Sequence, residues 1–128
     1  MRLLLDTHLL LWAAYHPGKL PKEVVRLLNT ASTPLFSIAS LWEVSIKHGY
    51  GRMDFDMHPR QFRQGLIDGG YEELPIGSEH AFSVAGLPPI HRDPFDRMLI
   101  AQAIVDGIDL LTSDATVARY PGPIRYFA

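Results

Sequence analysis

Short apolar runs alternate along the chain with segments in which apolar residues recur at helical spacing. The first run, Arg2 to Leu5, ends at Asp6, and Thr7 to Tyr15 continues with strong helix formers until Pro17 and Gly18. The run is typical of a strand, and the continuation is typical of a helix that proline and glycine end. The chain therefore opens with a predicted strand followed directly by a predicted helix.

The same step from strand to helix recurs further along the chain. A second helix is predicted behind Pro21, because proline is favoured in a first helical turn. Leu35 to Ile38 is a compact apolar run, and Leu41 to His48 then shows a mixed helical pattern that Gly49 ends. The pattern predicts another strand and another helix here.

The C-terminal half continues the alternation. Its strongest helix start is Asp93 with Pro94, because aspartate caps free amides and proline in the first turn loses no hydrogen bond; Gly107 should end that helix. The predicted helices are Pro59 to Ile67, Ser78 to Ala85, Asp93 to about Asp106 and Ser113 to Arg119; the predicted strands are Tyr71 to Ile76, Ile108 to Leu111 and Ile124 to Phe127. This order predicts an α/β fold, a three-layer α/β/α sandwich with a mostly parallel central sheet.

Composition limits the class of protein. With 128 residues, 47% of them hydrophobic, the chain has the size and apolar content of one compact domain, predicted to span residues 1–128. The absence of cysteine excludes disulfides, thiolate catalysis and cysteine-ligated zinc, and it fits a cytoplasmic protein. The apolar stretch from Leu9 to Ala14 is too short to span a bilayer, so we expect neither a signal peptide nor a membrane span.

Charge alone points to no polyanionic partner. The formal net charge is -2, which is nearly neutral for a chain of this length. Any surface that binds nucleic acid must therefore be local.

Four acidic residues occupy related places in the predicted fold. Asp6 directly follows the first strand, Asp114 follows the strand that begins at Ile108, and Glu43 lies in the first turns after the strand that begins at Leu35. Ligands of such sheets bind outside the carboxyl ends of the strands, where these three acids should lie. Asp96 lies in the first turn of its helix and can reach the same edge.

Each acid also has a purely local explanation. Asp6 can cap a helix, Asp96 and Asp114 suit the positive ends of helices, and Glu43 can pair with Lys47 one turn later. Local stabilisation does not explain why acids follow separate strands, where they would repel unless a cation neutralised them. With oxygen ligands, no cysteine and no His-x-x-x-His pair, the expected ion is Mg²⁺ or Mn²⁺ rather than zinc, and such a site suits phosphodiester chemistry.

Four segments of the chain resemble the PIN-domain ribonucleases, and within them the VapC toxins of bacterial and archaeal toxin-antitoxin pairs. The most specific is the run from His91 to Ala103, and the others contain Asp6, Glu43 and Asp114. In sequence, the four segments are LLLDTH (residues 3–8), SIASLWE (37–43), HRDPFDRMLIAQA (91–103) and LTSD (111–114). They occur in the family's order and spacing over essentially the whole chain.

The resemblance implies a Mg²⁺-dependent RNase, with Mn²⁺ as a possible substitute, that cleaves cellular RNA and is silenced by a cognate antitoxin protein. By position, Asp6 and Asp96 look like the direct metal ligands. Glu43 and Asp114 would complete the acidic pocket directly or through water. A homodimer is also expected.

Five further residues are secondary candidates for the predicted site. Asp93 shares a helical face with Asp96, but helix capping is a sufficient role for it. Thr7 and Ser113 adjoin two of the acids and could hold waters around the metal, although hydroxyls at these positions are also ordinary caps. The other two secondary residues are Lys47 and Arg97.

Cations for RNA phosphates should lie near the acids. Lys47, Arg92 and Arg97 are the nearest in sequence to Glu43 and Asp96. The alternative is that each arginine pairs with an acid four residues away on the helix surface, an interaction worth only about 0.3 to 0.5 kcal/mol. For Arg92 we favour the surface pair.

Histidines and aromatic residues are expected to have structural roles. The six histidines lack metal-binding spacing, and His8 stands where many family members have asparagine, so no catalytic role is assigned to it. Trp12, Tyr15 and Trp42 are expected in the core, but the apolar density of Leu9 to Tyr15 could also serve a dimer contact or an antitoxin groove.

Two other functional classes remain for comparison. The first is a catalytically weak PIN-like domain that binds RNA or protein; the presence of all four acids argues against it. The second is a phosphatase or phospho-receiver of similar topology. Neither the Asp-x-Asp of the former nor the acidic pair and late lysine of the latter occurs in this sequence.

Overall fold

The computed structural model describes residues 1–30 and 32–128, which form a parallel sheet with helices on both faces. The strands of this part of the chain are β1 (Arg2–Leu5), β2 (Thr33–Ser37), β3 (Glu72–Leu74), β4 (Asp109–Thr112) and β5 (Ile124–Tyr126). Its α-helices are α1 (Thr7–Tyr15), α2 (Lys22–Leu28), α3 (Ile38–Gly49), α4 (Pro59–Asp68), α5 (Ser78–Ala85) and α6 (Pro94–Asp106).

The strand order β3-β2-β1-β4-β5 places the first strand at the centre of the sheet. All four strand pairs are parallel. The chain moves outward from β1 to β3 on one side and then returns to build β4 and β5 on the other. In such a doubly wound sheet, the ends of the two strands where the direction reverses, β1 and β4, flank a crevice.

Two apolar cores cover the two faces of the sheet, because successive side chains of a strand point to opposite sides. Leu3 and Leu5 pack on the face covered by α1, α2 and α4, whereas Leu4 and Leu110 pack on the face covered by α6. Helix α5 lies against α6 on this second side. The predicted three-layer α/β/α sandwich is therefore confirmed.

Most predicted elements are present, with small shifts at their ends. Asp93 caps α6 through its side chain, and Gly107 ends that helix in the left-handed region at φ 64°, as predicted. The strand predicted to reach Ile38 stops one residue earlier, because the Ser37 hydroxyl accepts a hydrogen bond from the Ala39 amide and starts α3. The strand and the helix thus meet without a loop.

The helix predicted over Ser113 to Arg119 is wrong. Only a single 3₁₀ turn, Val117–Arg119, forms there. Asp114 uses its Oδ1 to accept a hydrogen bond from the Thr116 amide at 2.8 Å, which stabilises a turn instead of a helix start. Pro121 then keeps Tyr120 extended, so the turn cannot continue.

Two of the three predicted core aromatics are at the surface. Trp42 is 50% exposed and Tyr15 is 41% exposed. Trp12, on α1, is partly buried and packs against the core. The indole of Trp42 lies edge-on to the Phe95 ring, 4.9 Å between centroids. In the part of the chain that the structure describes, no helix combines the length and hydropathy needed to cross a bilayer.

Candidate metal centre

Asp6 stands where the central strand β1 passes into α1. Its Oδ1 accepts a hydrogen bond from the Leu9 amide at 2.9 Å, so it does cap the helix. Its Oδ2 accepts one from the Thr112 hydroxyl at 2.6 Å, and that hydroxyl also accepts one from the Asp114 amide. Thr112 therefore fixes Asp6 against the end of β4, and the carboxylate is only 5% exposed.

Glu43 reaches the same place from the second turn of α3. The side chain of Lys47, one turn later, donates to its Oε2. Its other oxygen, Oε1, is fully buried and has no hydrogen-bond partner among the described residues. A buried carboxylate oxygen without a partner carries a large desolvation cost, which indicates that another positive group belongs beside it.

Asp96 and Asp114 meet at the imidazole of His91. The Nε2 atom of His91 lies 2.9 Å from Asp96 Oδ2 and 3.9 Å from Asp114 Oδ2. Asp96 enters from the first turn of α6 and Asp114 from the loop after β4. Both carboxylates line the same pocket as Asp6.

All four predicted acids line one pocket of about 490 Å³ at the carboxyl edge of the sheet. Parallel strands bring Asp6 and Asp114 together, and the helix starts of α3 and α6 supply Glu43 and Asp96. The other lining residues are His8, Trp12, Lys47, His91, Asp93, Ser113 and Ala115. The predicted convergence of acids from four separate segments is what the fold produces.

Burial disfavours the charged state of two of these acids, Asp6 and Asp96. Burial raises the pKa of Asp6, against the opposing effect of the hydrogen bond from Thr112. Burial also raises the pKa of Asp96 to about 8, and the charges of Asp93, Glu43, Asp6 and Asp114 act in the same direction. A divalent cation would remove both the repulsion and much of the desolvation cost.

The residues present therefore fit a hard divalent ion. The pocket offers several carboxylate oxygens, one of them buried without a partner at Glu43, and no thiolate. Oxygen donors of this kind select Mg²⁺ or Mn²⁺. Among the residues that the structure describes, His91, Asp93 and Asp96 form the one group whose ligand atoms all lie within 4.8 Å of one another.

The metal-free protein should lose stability as the pH rises from about 6 to about 8. The pKa of Asp96 is about 8 in the fold against an ordinary value of 3.8, so between these values the folded state binds more protons than the unfolded state. Stability then falls with increasing pH across this window. Melting curves in EDTA should show this trend, and saturating Mg²⁺ should weaken or reverse it, because the ion binds the deprotonated site. A flat profile in EDTA would contradict the raised pKa.

Three of the five secondary residues line the pocket, and two, Thr7 and Arg97, do not. Lys47, Asp93 and Ser113 all face it. Asp93 also performs the expected cap, since its Oδ1 accepts from the Phe95 and Asp96 amides. The Thr7 hydroxyl instead pairs with the Ser40 hydroxyl at 2.9 Å in a buried contact between α1 and α3, so its role is to join these helices.

Arg97 is not placed to bind substrate phosphate. Its guanidinium donates to the Pro88 and Val84 carbonyls and to the Tyr120 hydroxyl, at 2.9 to 3.1 Å, on the side of α6 that packs against α5. The expected alternative, a surface pair with Asp93, is also absent among the described residues. The guanidinium group carries five N–H donors, which suit a site with several carbonyl acceptors. This explains why the Arg97 side chain points inward.

Replacing Arg97 with alanine should destabilise the fold by about 2 kcal/mol, because hydrogen bonds from a charged donor contribute about 1.5 to 3 kcal/mol and their acceptors are left partly buried. Urea denaturation would measure the loss. Arg92→Ala is the matched control, since Arg92 is exposed and forms no ion pair in the described part of the chain, including the expected one with Asp96. Equal stability of the two variants would contradict this role.

His91 is the pocket residue that sequence reasoning missed. It lies on the loop before α6 and reaches Asp96 by a turn of the chain, so no helical or strand periodicity marks it. Its position at the start of the most specific sequence segment was the available signal. His8, to which no catalytic role was assigned, also lines the pocket.

Comparison with solved structures shows the same fold in three other proteins. VapBC2 from Rickettsia felis, crystallised with a DNA fragment from its promoter, matches with a TM-score of 0.73 and 17% identity over 100% of both chains. VapBC-1 from nontypeable Haemophilus influenzae matches with a TM-score of 0.63 and 17% sequence identity, and the match covers 93% of this chain and 91% of that one. A domain of a functionally unknown protein from Methanocaldococcus jannaschii matches with a TM-score of 0.60 and 16% sequence identity. This match covers 99% of this chain and 91% of that one.

The family comparison covers nearly the whole sequence. No curated protein matches the sequence significantly. The family model described as "PIN domain" matches residues 3–123, a span that contains all four acids of the pocket. The chain therefore belongs to the PIN-domain family, whose members are in general metal-dependent nucleases.

Proposed function

We propose that this protein is a Mg²⁺-dependent endoribonuclease of the VapC type, the toxin of a toxin-antitoxin pair, and that Mn²⁺ can replace Mg²⁺. The observation that carries the proposal is the pocket in which Asp6, Glu43, Asp96 and Asp114 converge with one buried oxygen of Glu43 left without a partner. Such a constellation costs stability unless a cation completes it. The whole 128-residue chain would act as one domain in the cytoplasm.

The four acids would have different roles in binding the metal. Asp6 and Asp96, whose pKa values are raised by burial, would hold the ion, with Glu43 and Asp114 completing the site directly or through water. A bound divalent ion supplies an activated water and neutralises charge on a phosphodiester. Thr112 keeps Asp6 in place, and Ser113 lies where it can orient water at the pocket wall.

Lys47 has two tasks in this proposal. Its ammonium group pairs with Glu43 and lies 4.9 Å from the centre of the Phe55 ring, which fixes the side chain at the pocket wall. From there it offers a positive charge to a phosphate of the RNA. Arg92, exposed on the adjoining loop, is the other cation available for this contact.

An antitoxin partner is proposed on two grounds. The Rickettsia felis and Haemophilus influenzae structures are described as VapBC assemblies. In this chain, a cleft of about 720 Å³ adjoins the acidic pocket and shares His8 and Trp12 with it. Tyr15 and the highly exposed Met53 also line this cleft, so a partner bound there would cover apolar surface. A homodimer stays a prediction, for which light scattering is the test.

RNA cleavage with controlled metal content tests the proposal. The purified protein should cut structured cellular RNA internally in Mg²⁺ or Mn²⁺, stop when EDTA is added in excess, and resume when the ion is restored. Asp6→Asn is the inactive control. Undiminished cleavage in EDTA would refute the metal mechanism, and RNA binding without cleavage in Mg²⁺ would favour the weakly catalytic binding domain instead.

A further inference from the structure

The imidazole of His91 lines the acidic pocket and contacts the Asp96 carboxylate. We propose that His91 is a direct ligand of the bound ion and makes this site prefer Mn²⁺ over Mg²⁺. The proposal rests on the metal site of the proposed function and adds a ligand and a metal preference to it.

The distances around His91 are those of a ligand shell. Its Nε2 lies 2.9 Å from Asp96 Oδ2, and neighbouring ligands around an octahedral ion with bonds of about 2.1 Å stand about 3 Å apart. Asp114 Oδ2 lies 3.9 Å from the same nitrogen. His91, Asp93 and Asp96 form the one such group of metal-binding side chains in the described residues.

The main chain holds His91 at this place. The His91 amide donates to the Tyr120 hydroxyl at 2.6 Å, and Tyr120 is 4% exposed. Arg97 donates to the same hydroxyl and to the Pro88 carbonyl, so the loop before α6 is tied to the helix by partly buried polar contacts. These hydrogen bonds hold the backbone of His91 in a fixed position beside the pocket, whereas a histidine on an unanchored surface loop would lack them.

Donor chemistry gives the preference. Mg²⁺ binds oxygen almost exclusively and holds its waters tightly, whereas first-row transition ions accept imidazole nitrogen readily. One imidazole among carboxylates therefore adds affinity for Mn²⁺ and little for Mg²⁺. The unpartnered Oε1 of Glu43 supplies an independent sign that a cation completes this pocket.

Calorimetric titration of the metal-free protein with Mn²⁺ and with Mg²⁺ tests the proposal. His91→Gln keeps an amide donor at similar reach to Asp96 but removes the imidazole, and it should weaken Mn²⁺ binding about tenfold or more while changing Mg²⁺ binding less than about threefold. His58→Asn is the control, because His58 caps α4 at the exposed surface and asparagine can also cap.

Spectroscopy of bound Mn²⁺ gives a second readout that does not depend on affinity. Electron spin echo measurements should show coupling to a directly bound nitrogen in the wild type and in His58→Asn, and none in His91→Gln or His91→Ala. Absence of nitrogen coupling in the wild type, or equal losses of Mn²⁺ and Mg²⁺ affinity in His91→Gln, would overturn the ligand role. Failure of the wild type to bind either ion would instead refute the proposed metal site itself.

Discussion

Replacing Asp96 with asparagine should abolish RNA cleavage and, in EDTA, make the protein more stable. The pKa of Asp96 is raised to about 8 by burial and by four neighbouring carboxylates, so its charge opposes folding when no ion is bound. Asparagine keeps the shape and can still accept from His91. We expect a cleavage loss of at least about 100-fold, because a direct ligand should matter more than its supporting contacts, and a rise in Tm of about 4 °C or more.

Nuclease assays and thermal melts of the same preparation measure both effects. Asp68→Asn is the matched control, since it makes the same chemical change at an exposed position near the end of α4 and should alter neither activity nor Tm appreciably. Asp96→Asn with full activity would mean that the wrong ligand has been chosen. A lower Tm in EDTA would mean that the Asp96 charge is compensated without metal.

Replacing Lys47 with methionine should destabilise the metal-free protein by about 3 kcal/mol, because it leaves the buried Glu43 carboxylate without its partner. Glu43 is 3% exposed, and its Oε1 already lacks a hydrogen bond. Methionine preserves most of the packing beside Phe55, so the loss reports the charge. Urea denaturation in EDTA would measure it.

A double variant separates charge from packing in this prediction. Glu43→Gln combined with Lys47→Met should be more stable than Lys47→Met alone, because the uncompensated charge is then absent. Saturating Mg²⁺ should restore part of the stability of Lys47→Met, since the ion can neutralise Glu43. If the double variant is the less stable of the two, Lys47 acts through packing alone.

The sequence predicted the fold and the place of the acids because both depend on short-range patterns. Apolar runs and their helix starts placed the elements around Asp6, Glu43 and Asp96 to within a few residues. Parallel strands necessarily end at one edge, and this brought Asp6 and Asp114 together. The capping roles proposed as alternatives for Asp6 and Asp93 also occur, so a capping role and a place in the pocket coexist in these residues.

The misplaced residues depend on contacts between distant segments. Arg97 turns toward Tyr120 and the loop before α6 because carbonyl acceptors lie there, which no local pattern shows. His91 reaches Asp96 through the same loop. Trp42 has the composition of a core residue, but its position on α3 leaves half of its surface exposed. Helical periodicity alone does not tell which face a neighbouring element will cover.

Location of Mn²⁺ by anomalous scattering in crystals of the protein tests most directly whether the four carboxylates form a metal site. The predicted result is a peak in the acidic pocket, within bonding distance of Asp6 and Asp96, that disappears in crystals of Asp96→Asn. A peak elsewhere, or an empty pocket in a protein that still cleaves RNA, would contradict the assignment.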